Sequence, residues 1–180
     1  MKRHHLITVH LILSTFFLPF LLMMPLSGVL YLTGLDKGED PREEVFQVEA
    51  QIPESKEERE AFFRNLFKEK GIDFDFEYIR DRETQFTFRP SSRTHYVAHL
   101  KEPSTIVFEK VTPRFVTRMM ELHMGHGPQL FRSFEILFGI GLIVIAISGI
   151  WLSFIVPAYR TKLFLSFCAG AVVFFSLLVL

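Results

Sequence analysis

Three apolar runs interrupt an otherwise charged chain, and between the first two the hydrophobic spacing shortens to that of a folded domain. Leu6 to Leu32 holds 27 residues without a charge, Ile136 to Val156 holds 21 and Leu163 to Leu180 holds 18. About 20 apolar residues in a helix cross a hydrocarbon core, so each run predicts one membrane span. The first run follows Lys2 and Arg3, as a secretory signal would. A signal's apolar region is only about 7 to 15 residues long and ends at small residues. A run of 27 that ends Leu30-Tyr31-Leu32-Thr33-Gly34 predicts an uncleaved anchor instead.

The middle of the chain changes period as an α+β unit does. Ser55 with Glu58 three positions on reads as a capping box. Phe62, Phe63, Leu66 and Phe67 make one apolar stripe, and Gly71 is placed for a left-handed helix end, which predicts a helix over roughly 56–70. Strand-like alternation precedes it at Phe46, Val48, Ala50 and Ile52. It follows at Phe74, Phe76 and Tyr78, at Phe86 and Phe88, and from Tyr96, Ala98 and Leu100 to Ile106 and Phe108. The separators Asp81-Arg82-Glu83, Pro90-Ser91-Ser92 and Glu102-Pro103-Ser104 are short enough for hairpins. The pattern predicts an antiparallel sheet with an aromatic face covered by one helix.

Thr112 before Pro113 predicts the start of a second helix, with proline at its tolerated first position. Phe115, Val116, Met119, Met120 and His123 share a stripe on it. Gly125, Gly127 and Pro128 then break the helix, because the residue before proline is disfavoured in the α region. The resulting fold class is membrane α+β with three transmembrane helices. Its divisions are 1–35 for the N-terminus and first span, 36–128 for the domain, 129–156 for the second span, 157–162 for a link and 163–180 for the third.

Charge orients this arrangement. The whole chain is formally neutral, but Asp36 to Leu130 carries 15 Lys/Arg against 19 Asp/Glu, a net −4, and elsewhere Glu135 is the only acid. Cations near span ends mark the cytoplasmic side. Lys2 and Arg3 therefore place the N-terminus inside, Arg160 and Lys162 place 157–162 inside, and residues 36–130 fall outside the cytoplasm. The chain is then expected to stop at Leu180 on the outer side. Cys168 is the only cysteine and lies in the third span, so the exported domain has no disulfide and depends on its own packing. No phosphate loop, paired cysteine or nucleophile with a base stands out, so enzyme activity has no positive support. The lipid bilayer, a membrane-protein partner or a second copy are the expected partners, and nucleic acid is not.

The chain resembles PepSY-domain proteins with associated transmembrane helices, a family of bacterial inner membranes. The resemblance covers most of residues 1 to 156. It rests on Pro25-Leu26-Ser27-Gly28-Val29-Leu30-Tyr31-Leu32-Thr33-Gly34, on Leu122-His123-Met124-Gly125-His126-Gly127-Pro128, and on a second span ending Ser148-Gly149-Ile150-Trp151. It implies an exported helix-and-sheet module that binds a protein or ligand, in an accessory role tied to iron or siderophore assimilation. Larger relatives look like haem-containing reductases, which implies electron transfer as an alternative, and the family name implies regulation of an extracytoplasmic peptidase as another. This chain departs by its three spans and by lacking the strand that ends in a Thr-Gly turn.

The histidines set limits on cofactor chemistry. His10 is about four residues into the first span, ~6 Å from its cytoplasmic end, while His123 and His126 lie beyond the outer end of the second. Across a core of ~30 Å these sites are at least ~25 Å apart, so a haem b shared by His10 and His123 within one chain is excluded. Only an oligomer could pair His10 with His10 or His126 with His126. Met119, Met120, His123, Met124 and His126 together offer soft donors suited to copper, although methionine is also ordinary core filler. The leading expectation is no cofactor. His95 and His99, ~13 Å apart on one strand, read as solvent-facing. Arg132 and Glu135 read as an i,i+3 pair. Gly139, Gly141, Ser148, Gly149, Ser166 and Gly170 form small surfaces for helix packing.

Overall fold

The computed structural model describes residues 3–34, 38–82, 84–101 and 104–180. Lys2, Asp36 and the turn residues Glu83, Glu102 and Pro103 lie outside the described residues. The chain forms two compact units, one of Leu22–Glu135 and one of Met1–Leu21 with Ile136–Leu180.

The first of these is the α+β unit. Its five strands, β1 (Arg42–Glu49), β2 (Tyr78–Arg82), β3 (Gln85–Arg89), β4 (His95–Leu100) and β5 (Thr105–Val111), form one antiparallel sheet in the order β1-β5-β4-β3-β2. The helix α3 (Lys56–Glu69) connects β1 to β2 and matches the expected helix closely. Ser55 accepts a hydrogen bond from the Glu58 amide. The other end closes where Gly71 turns to φ +68°, with Gly71 N–H on the Lys68 carbonyl and Ile72 N–H on the Phe67 carbonyl.

One face of the sheet packs on α3 in a core of phenylalanines. Phe63, Phe67, Phe88 and Phe108 are at most 1% exposed, and the Phe67 ring lies edge-on to Phe88 with centroids 5.1 Å apart. Each such burial is worth roughly 1.5–3 kcal/mol, so the aromatic stripe read along the sequence is what fixes α3 to the sheet. Phe74 and Phe76 join this core from an extended loop rather than from a strand. Asp81 and Arg82 belong to β2 rather than to a separator, and Arg82 pairs across to Gln85.

The opposite sheet face is polar, and a bulge completes it. Arg42, Glu44, Phe46 and Val48 would share one face of an unbroken strand. The register shift between Glu44 and Phe46 adds a residue at that point. Arg42 thereby pairs beside Val111 on the polar face, while Phe46 pairs with Phe108 and stacks on it at 4.4 Å on the core face.

The helix α4 (Phe115–His123) follows β5. It starts later than Thr112-Pro113 predicts: Arg114 is the cap, and its amide is satisfied by Asp40 Oδ1 at 2.8 Å. Only Met119 of the expected stripe is fully buried, and Phe115 is 69% exposed. After the glycine break the chain enters α5 (Gln129–Ile155). Glu77 caps this helix, accepting from Gln129 N–H at 2.8 Å and from Arg132 at 2.7 Å. Arg132 therefore pairs with Glu77 and not with Glu135, and its guanidinium also lies over the Tyr78 ring.

The second unit is helical, and of the first apolar run it holds only the part up to Leu21, the remainder belonging to the first unit. The first apolar run is two helices, α1 (Arg3–Phe16) and α2 (Leu18–Thr33), bent by 51° at Phe17. Pro19 accounts for the bend, since it lacks an N–H and its ring clashes with the carbonyl four residues back. α5 and α6 (Pro157–Val179) are each long and apolar enough to cross a membrane. They are separated at Val156 alone, so residues 157–162 are the first turns of a helix rather than a loop. Arg160 closes the end of α5 by donating to the Phe154 carbonyl at 2.7 Å. α6 has no buried residue.

Candidate functional site

Register alone gathers the cations of the α+β unit on one sheet face. Arg80 pairs across to Thr87, Thr87 to Val97, and Arg82 to Gln85, so these side chains share a face, and Arg42 reaches it through the bulge. That face floors a cavity of about 430 Å³, with Thr117, Glu121 and Met124 from the α4 segment and His126 from the turn beyond completing its wall. A segment that is net acidic by sequence thus concentrates four arginines, Arg42, Arg80, Arg82 and Arg89, around one opening.

The wall is built by the helix end. Gly125 adopts φ +72°, its N–H bonds the Leu122 carbonyl and the His126 N–H bonds the Glu121 carbonyl at 2.8 Å. This left-handed cap folds His126 back beside Glu121. His126 Nδ1 then lies 3.0 Å from Glu121 Oε2. An ionised carboxylate only accepts, so the ring donates from Nδ1 and carries its lone pair on Nε2. Gly127 next to it is closely packed, since a Cβ there would stand 2.8 Å from Leu122 Cδ2.

Glu121 holds more than the histidine. Ser91 donates to its Oε2, and Arg89 Nη1 reaches the same oxygen at 2.5 Å. Arg89 is 4% exposed, and its Nε has no hydrogen-bond partner. Burial alone would raise the Glu121 carboxyl, but Ser91, Arg89 and His126 outweigh it and hold the group below the usual carboxylate value. Burial, followed by the charge of Arg89, lowers His126 below the usual histidine value against the pull of Glu121. His95 also lines the cavity, donates from Nδ1 to the Arg93 carbonyl at 2.9 Å and is lowered chiefly by burial. It is buried, which corrects the solvent-facing reading, whereas His99 is partly open beside Glu109.

The other sequence candidates fall elsewhere. His123 Nδ1 lies 2.8 Å from Ser27 Oγ, whose single proton goes to the Met24 carbonyl, so the ring donates from Nδ1. His10 repeats this in the helical unit: its Nδ1 lies 2.8 Å from Ser148 Oγ, and Ser148 donates to the Ile145 carbonyl. Met119 is buried, Met120 half-buried and Met124 50% exposed, so the three thioethers occupy different environments. Among the described residues no three His, Cys, Asp or Glu side chains form a metal-holding cluster.

Of the small residues, Gly141 admits the Phe17 ring, which a Cβ would strike, and Gly149 lies against His10, where a Cβ would stand 3.4 Å from Cε1. Gly139 and Gly170 have nothing within 4 Å of such a Cβ, and Ser166 lines an apolar cavity with α5 residues. Sequence reading singled out His126 but missed Arg80, Arg82 and Arg89. For Arg80 and Arg82 the signal was their two-residue spacing, which puts both on one face of a strand. No family model, curated protein or solved structure matches the chain.

Proposed function

We propose that this chain is a non-enzymatic accessory protein of the bacterial inner membrane, with a PepSY-like domain over 36–128 outside the cytoplasm that binds a ligand or protein. α5, α6 and the bent α1–α2 pair serve as three spans, and iron or siderophore assimilation is the process the family resemblance suggests. The cavity on the open sheet face carries this reading. It is enclosed by residues from all five strands and the α4 turn, and it holds a buried arginine with an unsatisfied Nε, a feature of a binding surface more than of a packed core.

Native mass spectrometry of the full chain, extracted in mild detergent, tests it. A small-molecule adduct on the wild type that disappears in Thr87→Trp, which fills the cavity floor, is expected. Bare wild-type protein, or an adduct retained by Thr87→Trp, would remove the cavity from the reading.

A haem- or metal-binding electron-transfer role is the second reading. The side chains of His10, His123 and His126 favour it, because each engages Nδ1 in a hydrogen bond to a side-chain oxygen and leaves Nε2 outside that bond, the arrangement in which an outer partner orients a ring for ligation. Purified protein with a Soret band that His10→Ala or His126→Ala abolishes would establish this role over the first. A colourless, metal-free protein ends it.

A further inference from the structure

We infer that the open sheet face is an oxyanion site, in which Arg80 and Arg82 hold a compact group carrying two negative charges, a phosphoryl group or a dicarboxylate. This rests on the ligand-binding reading above and names the chemistry of the same cavity.

The partner assignments of the lining residues single out two cations. Arg89 is committed to Glu121 and Ser91, and Arg42 stands 3.3 Å from Glu109. Asp40 accepts the Arg114 backbone N–H. The side chains of Arg80 and Arg82 line the cavity and make no hydrogen bond or ion pair among the described residues. They sit two apart on one face of β2, about 7 Å from each other along the strand. Two guanidiniums at that spacing can close on a single tetrahedral or planar oxyanion, and the arginine fork matches its oxygens in pairs.

The wall of the cavity suits such a guest. Thr87 and Gln85, cross-strand neighbours of the two arginines, add a hydroxyl and an amide. Two acids also line the cavity: Glu121 is engaged by Arg89, Ser91 and His126, and Asp40 accepts the Arg114 amide through Oδ1, so each is already hydrogen-bonded. Like charges left together without a counter-ion repel, and a bound dianion relieves that cost at Arg80 and Arg82.

Binding of inorganic phosphate and of succinate to the full-length protein in neutral detergent, at constant ionic strength, tests the proposal. Saturable binding of either is expected. Arg80→Gln and Arg82→Gln should each weaken it about tenfold to a hundredfold, Arg82→Lys should fall between wild type and Arg82→Gln, and Arg118→Gln, outside the cavity, should leave it unchanged. Competition by vesicles containing phosphatidic acid, and not by pure phosphatidylcholine, would assign the anion to a lipid headgroup; no competition would assign it to a soluble molecule. Failure of both anions to saturate, or binding that survives both glutamine variants, overturns the site. A neutral adduct in the native mass spectrum beside that failure would leave a ligand-binding cavity without anion specificity. No adduct and no anion binding would remove both.

Discussion

His126 and Glu121 meet through a 3.0 Å hydrogen bond from the imidazole Nδ1 to the carboxylate, although the helix that carries Glu121 ends between them. The turn at Gly125 makes this contact, so backbone conformation and cavity chemistry are coupled at one residue.

Gly125→Ala should expose that coupling. A Cβ there meets only ordinary contacts, the nearest being Glu135 Oε2 at 3.8 Å, but φ is +72°. A left-handed conformation costs a residue with a Cβ about 1–2 kcal/mol. A lowered melting temperature together with a displaced His126 imidazole resonance is expected. A substitution without effect on either would show that the cap does not position the dyad.

Acid should destabilise the α+β unit in two stages. His126 and His95 lie below the ordinary histidine value because burial disfavours their charged forms. The unfolded chain therefore binds protons first as pH falls past the ordinary histidine value of about 6.5, and stability is lost there. Glu121, held below 4.5 against its burial by Ser91, Arg89 and His126, gives stability that is present above that value and lost further into acid. A melting temperature that falls between pH 7.5 and 5.5, less steeply in His95→Gln and His126→Gln, is expected. A flat wild-type profile over that range contradicts the assignment.

What could be read from the sequence followed from how local the physics was. α3 was legible to within a residue because Ser55, the phenylalanine stripe and Gly71 each specify it independently. β2 was not, since Asp81 and Arg82 look like turn residues until Arg59 on α3 takes up Asp81 from the sheet edge. The bulge before Phe46 is set by pairing to β5, which no local pattern records. Pro19 was in plain view, and its kink went unread because a 27-residue apolar run reads as one straight span. The cavity needed the register of all five strands at once, which no local pattern around its arginines records.

Glu121→Gln should cost more than an ordinary surface change. It leaves the Arg89 guanidinium, 4% exposed, without a counter-charge, and removing one member of a buried pair costs about 3–5 kcal/mol. Glu121 keeps some solvent access, so the lower figure is expected. Arg89→Met combined with Glu121→Leu should recover much of the loss in chemical denaturation. A double variant as unstable as Glu121→Gln alone would mean that the pair also serves a packing role.

In the helical unit, Gly141→Leu should be disruptive, because even a Cβ at that position runs into the Phe17 ring, whereas Gly139→Leu, with nothing within 4 Å of its Cβ, should be silent. Thermal aggregation in detergent distinguishes them. Equal effects would show that α5 does not use Gly141 to seat Phe17.

Membrane orientation is open to a direct chemical test on the same chain. With Cys168→Ser as background, single cysteines placed at Glu60 in α3 and at Thr161 in α6 report the two sides. Three spans, counting the pair bent at Pro19 as one, put position 60 outside and position 161 in the cytoplasm. A membrane-impermeant maleimide added to intact spheroplasts should then label Glu60→Cys and reach Thr161→Cys only after permeabilisation. If the bent pair instead dips in and returns on the same side, the α+β unit stays on the side of the N-terminus, and both the N-terminal flank and position 60 become protected together. Labelling of a cysteine at His4 separates these cases, because three spans require it to be protected when position 60 is labelled. Matching accessibility at positions 4 and 60 would replace the spanning anchor with a re-entrant one.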